Sequence, residues 1–162
     1  MNLVEEALKF TTDTKDCLIG AGAAAQTGRM FRTLFPGEKA VVVADANTWR
    51  VAGETVTASL AAADVPLEKP FVFADPELFA EWRFVMELEA ALKGVNAIPV
   101  AVGSGVVNDL CKLVSHRLGR RYLVMGTAAS MDGYTAANSA ITKDGMKQTM
   151  NCRAPLGCLV DS

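Results

Sequence analysis

Three short stretches of the sequence carry groups suited to holding a phosphorylated ligand. The first is Gly103-Ser104-Gly105-Val106-Val107-Asn108-Asp109, followed by Lys112. Gly103 and Gly105 let the backbone bend and approach a ligand closely, where a Cβ would clash. The helix predicted to start there offers unpaired N–H groups and the positive end of its dipole, which suits a phosphate. A dinucleotide pyrophosphate is the working assignment. The spacing G-x-G-x-x-N lacks the third glycine of the usual dinucleotide fingerprint and follows a late strand rather than the first. A glycine turn needed only to fold strand onto helix also explains it. Asn108 and Asp109 either shape the ligand loop or simply cap the helix, and Lys112 either faces an anionic substrate or pairs with Asp109 along the helix surface.

The second stretch, Thr127-Ala-Ala-Ser130-Met-Asp132-Gly133-Tyr134, puts two hydroxyls and a carboxylate within six residues, with small alanines leaving room for a bulky partner. A polar turn at Asp132-Gly133 is the competing reading. The third is Asp45, which ends an apolar run. There a carboxylate accepts hydrogen bonds from an adenosine ribose, or forms an Asx turn with Asn47. His116, beside Arg117 near a helix end, reads as solvated rather than catalytic.

The elements that must position these residues alternate. A strand edge followed by a glycine turn is predicted within 17–23, and strands at 39–45, 71–74, 97–102, 121–125 and 156–160, from short apolar runs of strand length. Helices are predicted at 24–35, from Asn47 or Thr48 to Ala63, from Pro76 to Leu92, and at 105–118. The second of these carries an apolar stripe of Val51, Val56, Leu60 and Ala63. Asp144-Gly145 predicts a two-residue turn joining a hairpin within 139–149. The pattern implies an α/β, Rossmann-like domain with a mainly parallel sheet, helices on both faces and a β-hairpin near the C-terminus. Residues 1–16 form an N-terminal arm and 17–162 one domain. Loops at 103–105 and 126–133 both follow strands, so they project from one edge of the sheet, where ligands of such folds bind.

Composition excludes several function classes. The chain has 162 residues, 51% hydrophobic, and a net charge of −2. No basic run marks a nucleic-acid partner, and no apolar stretch reaches the length of a membrane span. The first residues lack the basic and apolar regions of a signal peptide, so a cytoplasmic location is expected. Cys17, Cys111, Cys152 and Cys158 form no C-x-x-C pair, and with a single histidine they are expected to be reduced structural thiols rather than metal ligands.

Taken together, Ile19-Gly-x-Gly-Ala23, Asp45-x-Asn47-Thr48, Gly103-Ser-Gly-x-x-Asn-Asp109 with Lys112, and Thr127-Ala-Ala-Ser-Met-Asp-Gly-Tyr134 resemble the N-terminal domain of the sn-glycerol-1-phosphate dehydrogenases. These belong to the superfamily of iron-containing alcohol dehydrogenases, glycerol dehydrogenases and dehydroquinate synthases. The resemblance covers about 17–161 and implies NAD(P)-linked interconversion of dihydroxyacetone phosphate and sn-glycerol 1-phosphate. By that resemblance Gly103, Ser104, Gly105, Asn108 and Asp109 surround the pyrophosphate, Thr127 and Ser130 line the nicotinamide side, and Asp132 touches the phosphorylated polyol, with Lys112 near it. Asp45 meets the adenosine ribose and favours NAD over NADP by repelling a 2′-phosphate. One position departs from the family pattern: a serine common four residues after the substrate aspartate is Ala136 here. The family's metal ligands, an aspartate and two histidines, lie in a helical C-terminal domain. No catalytic or metal residue is therefore assigned to this chain, a divalent metal (zinc or similar) is expected only in a full-length protein, and the chain alone is expected to turn over little or nothing. A missing domain would expose apolar surface, so self-association is expected, as a homo-oligomer. Two other readings stay open: a non-catalytic nucleotide- or sugar-phosphate-binding module, and another member of the superfamily.

Overall fold

In the computed structural model, which describes residues 13–128 and 132–162, six apolar strands form one parallel sheet. The expected arm lies largely outside the described residues. The strands are β1 (Asp16–Gly20), β2 (Ala40–Asp45), β3 (Phe71–Phe73), β4 (Ile98–Gly103), β5 (Leu123–Gly126) and, after a separate hairpin, β8 (Gly157–Asp161). Their order is β1-β8-β5-β4-β2-β3, with every pairing parallel. Helix α1 is Thr27–Leu34, preceded by a 3-10 turn at Ala23–Gln26; α2 spans 46–62; α3 is Trp82–Leu92; α4 is Gly105–Arg117; and α5 is the single turn Asp132–Thr135. Strands β6 (Asn138–Lys143) and β7 (Met146–Asn151) make the antiparallel hairpin.

The period of two along each strand sends alternate side chains to opposite faces. Val41, Val43, Ala101 and Val124 join α3 and α4 in one apolar layer, through Leu88, Leu110 and Val114. Val42, Ala44, Val100, Val102 and Met125 join α1 and α2 in the other, through Phe31, Val56 and Leu60. Both faces are covered, which is why β2, β4 and β5 read as continuous apolar runs.

The order also locates a crevice. After β2 the chain crosses to β3 on one side, then returns to place β4 on the other side of β2. Helices α2 and α4 consequently cover opposite faces. Ligands of doubly wound sheets bind beyond the carboxyl ends of the strands at such a reversal. Here those ends are Asp45 on β2 and Gly103 on β4. Gly126 lies opposite Gly103, Val160 opposite Gly126, and Gly20 opposite Asp161, so all share one edge.

Three expectations need correction. The helix predicted from Pro76 begins only at Trp82. Asp75 Oδ1 accepts from Glu77 N at 2.9 Å and makes an Asx turn, and Ala80 O accepts from Thr142 N on the hairpin at 2.8 Å. The true cap is Glu81, whose side chain accepts from Arg83 N. In α2 the first turn Ala46–Thr48 is followed by a π-helical segment, Trp49–Gly53, before the α-helical Glu54–Ala62. Val51 lies outside the apolar stripe and is 62% exposed, while Val56 and Leu60 stay buried, because five residues along a helix place Val51 well round from Val56. A Cβ on Gly53 would lie 2.5 Å from the Trp49 ring, which explains a glycine inside this turn. The stretch read as a loop over 126–133 ends in α5. The hairpin turn follows its prediction: Asp144 and Gly145 both have positive φ (54° and 76°), as a type I′ turn requires.

Candidate functional site

At the centre of the crevice, β4 meets α4 through the glycine turn, and its two glycines have different reasons. A Cβ on Gly103 would come 2.9 Å from Val107 Cβ and 3.3 Å from Thr48 Cγ2, so Gly103 permits the strand to pack on its helix. A Cβ on Gly105 would meet nothing within 4 Å. Its surroundings are open to a ligand. Ser104 is the exposed N-cap of α4 but makes no side-chain cap bond, and the helix's own bonding starts with Asn108 N donating to Ser104 O at 3.1 Å. The first-turn N–H groups thus face the open edge with no capping side chain, an arrangement that favours an anion.

On one side of the turn stands Asp45. It caps α2 in a reciprocal box: its Oδ1 accepts from Thr48 N at 2.8 Å, and Thr48 Oγ1 accepts from Asp45 N at 3.0 Å. The partner is Thr48 rather than Asn47, whose Oδ1 instead accepts from Arg50 Nη2 at 2.8 Å. The half-buried Asp45 carboxylate also walls a hollow of about 330 Å³, with Asn47, Arg50, Asp75 and Leu78. Arg50 and Asp75 were not picked out from the sequence; Asp75 follows a strand just as Asp45 does.

On the other side, Thr127 N donates to Gly103 O at 3.1 Å, tying the start of the second loop to the glycine turn. Thr127 borders a hollow of about 250 Å³ shared with Ala24, Val51, Thr55 and Asp161. Asp161, also missed from the sequence, receives the N–H groups of Gly22 at 3.2 Å and Ala24 at 3.0 Å. It organises the Gly20–Ala23 turn as Asp45 organises the start of α2. A strand-terminal aspartate is the signal that would have found it. Ser130 lies outside the described residues, as does the side chain of Asp132.

The helix α4 turns two of its polar side chains inward. Asn108 is 1% exposed; its Oδ1 accepts from Tyr122 Oη at 2.7 Å and its Nδ2 donates to Gly133 O at 3.3 Å. Lys112 is fully buried, and its ammonium donates to Gly133 O, Ala136 O and Asn138 O at 3.2, 2.7 and 3.2 Å. The expected surface pair of Lys112 with Asp109 is absent because Lys112 is not on the surface, and its donors face backbone carbonyls rather than an open cavity. Burial pushes its ammonium below the usual lysine value, against the opposing pull of Cys152 and Asp109. Asp109 points elsewhere, into a hollow of about 350 Å³ with Phe79, Gly105, Val106, Thr142 and Lys147. Burial pushes its carboxyl up, against Lys112, Lys147 and Ser139. Lys147, on the hairpin, was not anticipated.

Tyr134 holds the second loop from within: its Oη donates to Ala128 O at 3.0 Å and accepts from Ala128 N at 3.2 Å. Its ring fills the space a Cβ on Gly126 would take, at 2.4 Å. The four cysteines are buried and form no disulfide, and burial pushes the Cys111 thiol up to about 12. Among the described residues no three His, Cys, Asp or Glu side chains come together to hold a metal, and His116 is exposed. No described helix is long and apolar enough to cross a membrane.

A family model described as iron-containing alcohol dehydrogenase matches residues 18–162. The chain is similar to the NAD(P)+-dependent glycerol-1-phosphate dehydrogenase of Methanosarcina barkeri, 28% identical over 100% of this chain and 44% of that protein. It is 32% identical to that of Methanothrix thermoacetophila, over 88% of this chain and 39% of the relative. The chain therefore spans less than half the length of these relatives. In fold it is similar to an iron-containing alcohol dehydrogenase from Thermotoga maritima (TM-score 0.79, 17% identity, 93% of this chain and 47% of the other). A glycerol dehydrogenase from Schizosaccharomyces pombe gives a TM-score of 0.76 at 21% identity, over 94% and 38% of the two chains.

Proposed function

This chain belongs to the iron-containing alcohol dehydrogenase family, and from that premise we propose that it is the nucleotide-binding part of an NAD(P)-dependent glycerol-1-phosphate dehydrogenase. The observation that carries the reading is the crevice where the strand order reverses: an uncapped helix start with an open glycine at its centre, and a carboxylate-walled hollow beside it. A dinucleotide has that layout of ribose, diphosphate and second ribose.

In this reading the N–H groups after Ser104 hold the diphosphate, and Gly105 lets it approach. Asp45, with Oδ1 engaged by Thr48, offers its other oxygen to the adenosine ribose. Thr127 borders the nicotinamide side, along with Ser130. Asp109 and Lys147 line the adjoining hollow, and Asp132 is assigned to the phosphorylated polyol. The bound nucleotide supplies a carbon that accepts or returns a hydride. Asn108 and Lys112 lie beneath this surface and support it. Among the described residues no three His, Cys, Asp or Glu side chains come together to hold a metal, and a divalent metal is expected only in a full-length protein. On its own the chain is expected to bind nucleotide with little or no turnover. NAD is preferred to NADP because a 2′-phosphate beside Asp45 would be repelled, by roughly 1 kcal/mol or more at about 4 Å.

Calorimetric titration of the 162-residue chain with NADH and NADPH tests this. NADH should bind at least about tenfold more tightly, a difference near 1.4 kcal/mol. Asp45→Asn, which keeps a capable N-cap while removing the charge, should narrow the gap. A wild-type chain that binds neither nucleotide at millimolar concentration would falsify the reading, and a preference for NADPH would overturn the role of Asp45.

A further inference from the structure

Among the described residues, Lys112 is the only Lys, Arg, Asp, Glu or His buried to core level. Removing an ammonium from water is costly unless its donors are satisfied. Here all three N–H directions meet carbonyls, and no carboxylate pairs with it directly. The acceptors are grouped: Gly133 lies in α5, Ala136 just beyond it, and Asn138 opens β6. One cation thus gathers three successive points of a single connection.

The surrounding bonds reinforce this. Gly133 O also accepts from Asn108, itself fixed by Tyr122. Ser139 Oγ donates to Asp109 O at 2.9 Å, fastening the same hairpin strand to α4. A buried cation whose hydrogen bonds all go to backbone carbonyls is sensitive to where those carbonyls are, since an imperfectly satisfied cation is penalised. The helix that starts at the glycine turn therefore dictates where α5 and the start of β6 can lie.

We propose that Lys112 is a positioning residue: its buried charge fixes α5 and the start of the hairpin against α4, and so sets the nicotinamide and substrate side of the crevice without touching ligand. The ligand part of this inference rests on the nucleotide-binding reading above. The structural part does not. Its counterpart on the adenosine side is Asp45, so loss of Lys112 should leave that side intact.

The test is hydrogen exchange by mass spectrometry on the 162-residue chain, comparing wild type, Lys112→Met and Lys112→Ala. Lys112→Met keeps the volume of the stem and is the variant safest for folding. Amides over 133–139 should exchange at least tenfold faster in both variants, while those of β4 stay within twofold. Adding n-propylammonium to Lys112→Ala should restore protection, whereas n-propanol should not. Affinity for NADH should fall at least fivefold while affinity for ADP stays within twofold. Unchanged exchange over 133–139, or equal rescue by the alcohol, would overturn the proposal. So would equal losses for ADP and NADH, or a Lys112→Met chain that unfolds throughout, because either would make the effect global. If the wild-type chain binds neither nucleotide, the functional reading fails while the exchange and rescue results still decide the role of Lys112.

Discussion

Asp45, Asp161 and Asp109 are three aspartates near one edge of the sheet, and they are used in two ways. Asp45 and Asp161 end strands and receive backbone N–H groups from the segment that follows or faces them. Their negative charge is met by donors and they stay partly open. Replacing Asp161 by alanine leaves the amides of Gly22 and Ala24 without their acceptor. The expected loss is about 1–3 kcal/mol, seen as a lower urea midpoint at unchanged m-value, with Asp161→Asn falling between. An unchanged midpoint would mean that water replaces the carboxylate fully. Asp109 is different, because burial raises its pKa on folding. The folded state then binds protons more readily than the unfolded chain between the ordinary aspartate value and the raised one. Stability falls as pH rises through that window, and the cost is complete above the folded pKa. Asp109→Asn should therefore gain stability relative to wild type at pH 7 compared with its difference at about pH 4. Urea melts at the two pH values measure this, and a difference independent of pH would contradict the assignment.

At the scale of elements, β4 and α4 carry the division between fold and ligand. Gly103 and Gly105 look equivalent in a G-x-G motif. The structure separates them, because one faces Val107 and Thr48 and the other faces open space. Gly103→Ala forces a methyl against the buried Val107 and Thr48 side chains and should cost about 1–3 kcal/mol of stability. Gly105→Ala should keep the melting temperature within a few degrees, since a glycine at a helix start gains little from its freedom there. It should nonetheless weaken NADH binding at least tenfold, because the methyl stands where a diphosphate would approach. Thermal melts and titrations of both variants separate the two roles; a Gly105→Ala chain with wild-type affinity would move the diphosphate elsewhere. The same helix shows what periodicity conceals. Its apolar positions, Val107, Leu110, Cys111 and Val114, were legible as a buried face. Asn108 read as a cap or ligand-loop residue and Lys112 as a surface or substrate-facing cation, yet Tyr122 and α5 cover the first and the segment from α5 to β6 covers the second. Local spacing reports that a side chain is polar. It does not report that a hairpin some thirty residues later will cover it.

At the scale of the molecule, the strands and their alternation with helices were readable because a parallel strand covered on both faces must be apolar throughout. Most element starts followed, except where a side chain intervened: Asp75 diverted the chain before α3. The order of strands was not readable, since it depends on pairings between distant segments. The clearest case is β8. It is the last strand in sequence, yet it lies between β1 and β5. Among the described residues, it is the element through which β1 joins the rest of the sheet. Asp161, at its end, also fixes the turn after β1, so the edge of the crevice depends on it twice. Gly157 is packed so closely that a Cβ would come 2.6 Å from Leu34 of α1. Deleting residues 157–162 should thus expose one face of α1, unpair β1 and β5 together, and remove the buried Cys158, Leu159 and Val160. At about 1.5–3 kcal/mol for each large apolar side chain withdrawn from the core, the loss approaches the 5–15 kcal/mol that holds a typical domain folded. The shortened chain should lose its cooperative urea transition and its near-UV dichroism, whereas Asp144→Asn at the hairpin turn, which keeps a type I′ sequence, should leave both. A cooperative transition retained without β8 would mean that β1 and β5 pair directly, and that the strand order here is not the one the sequence requires.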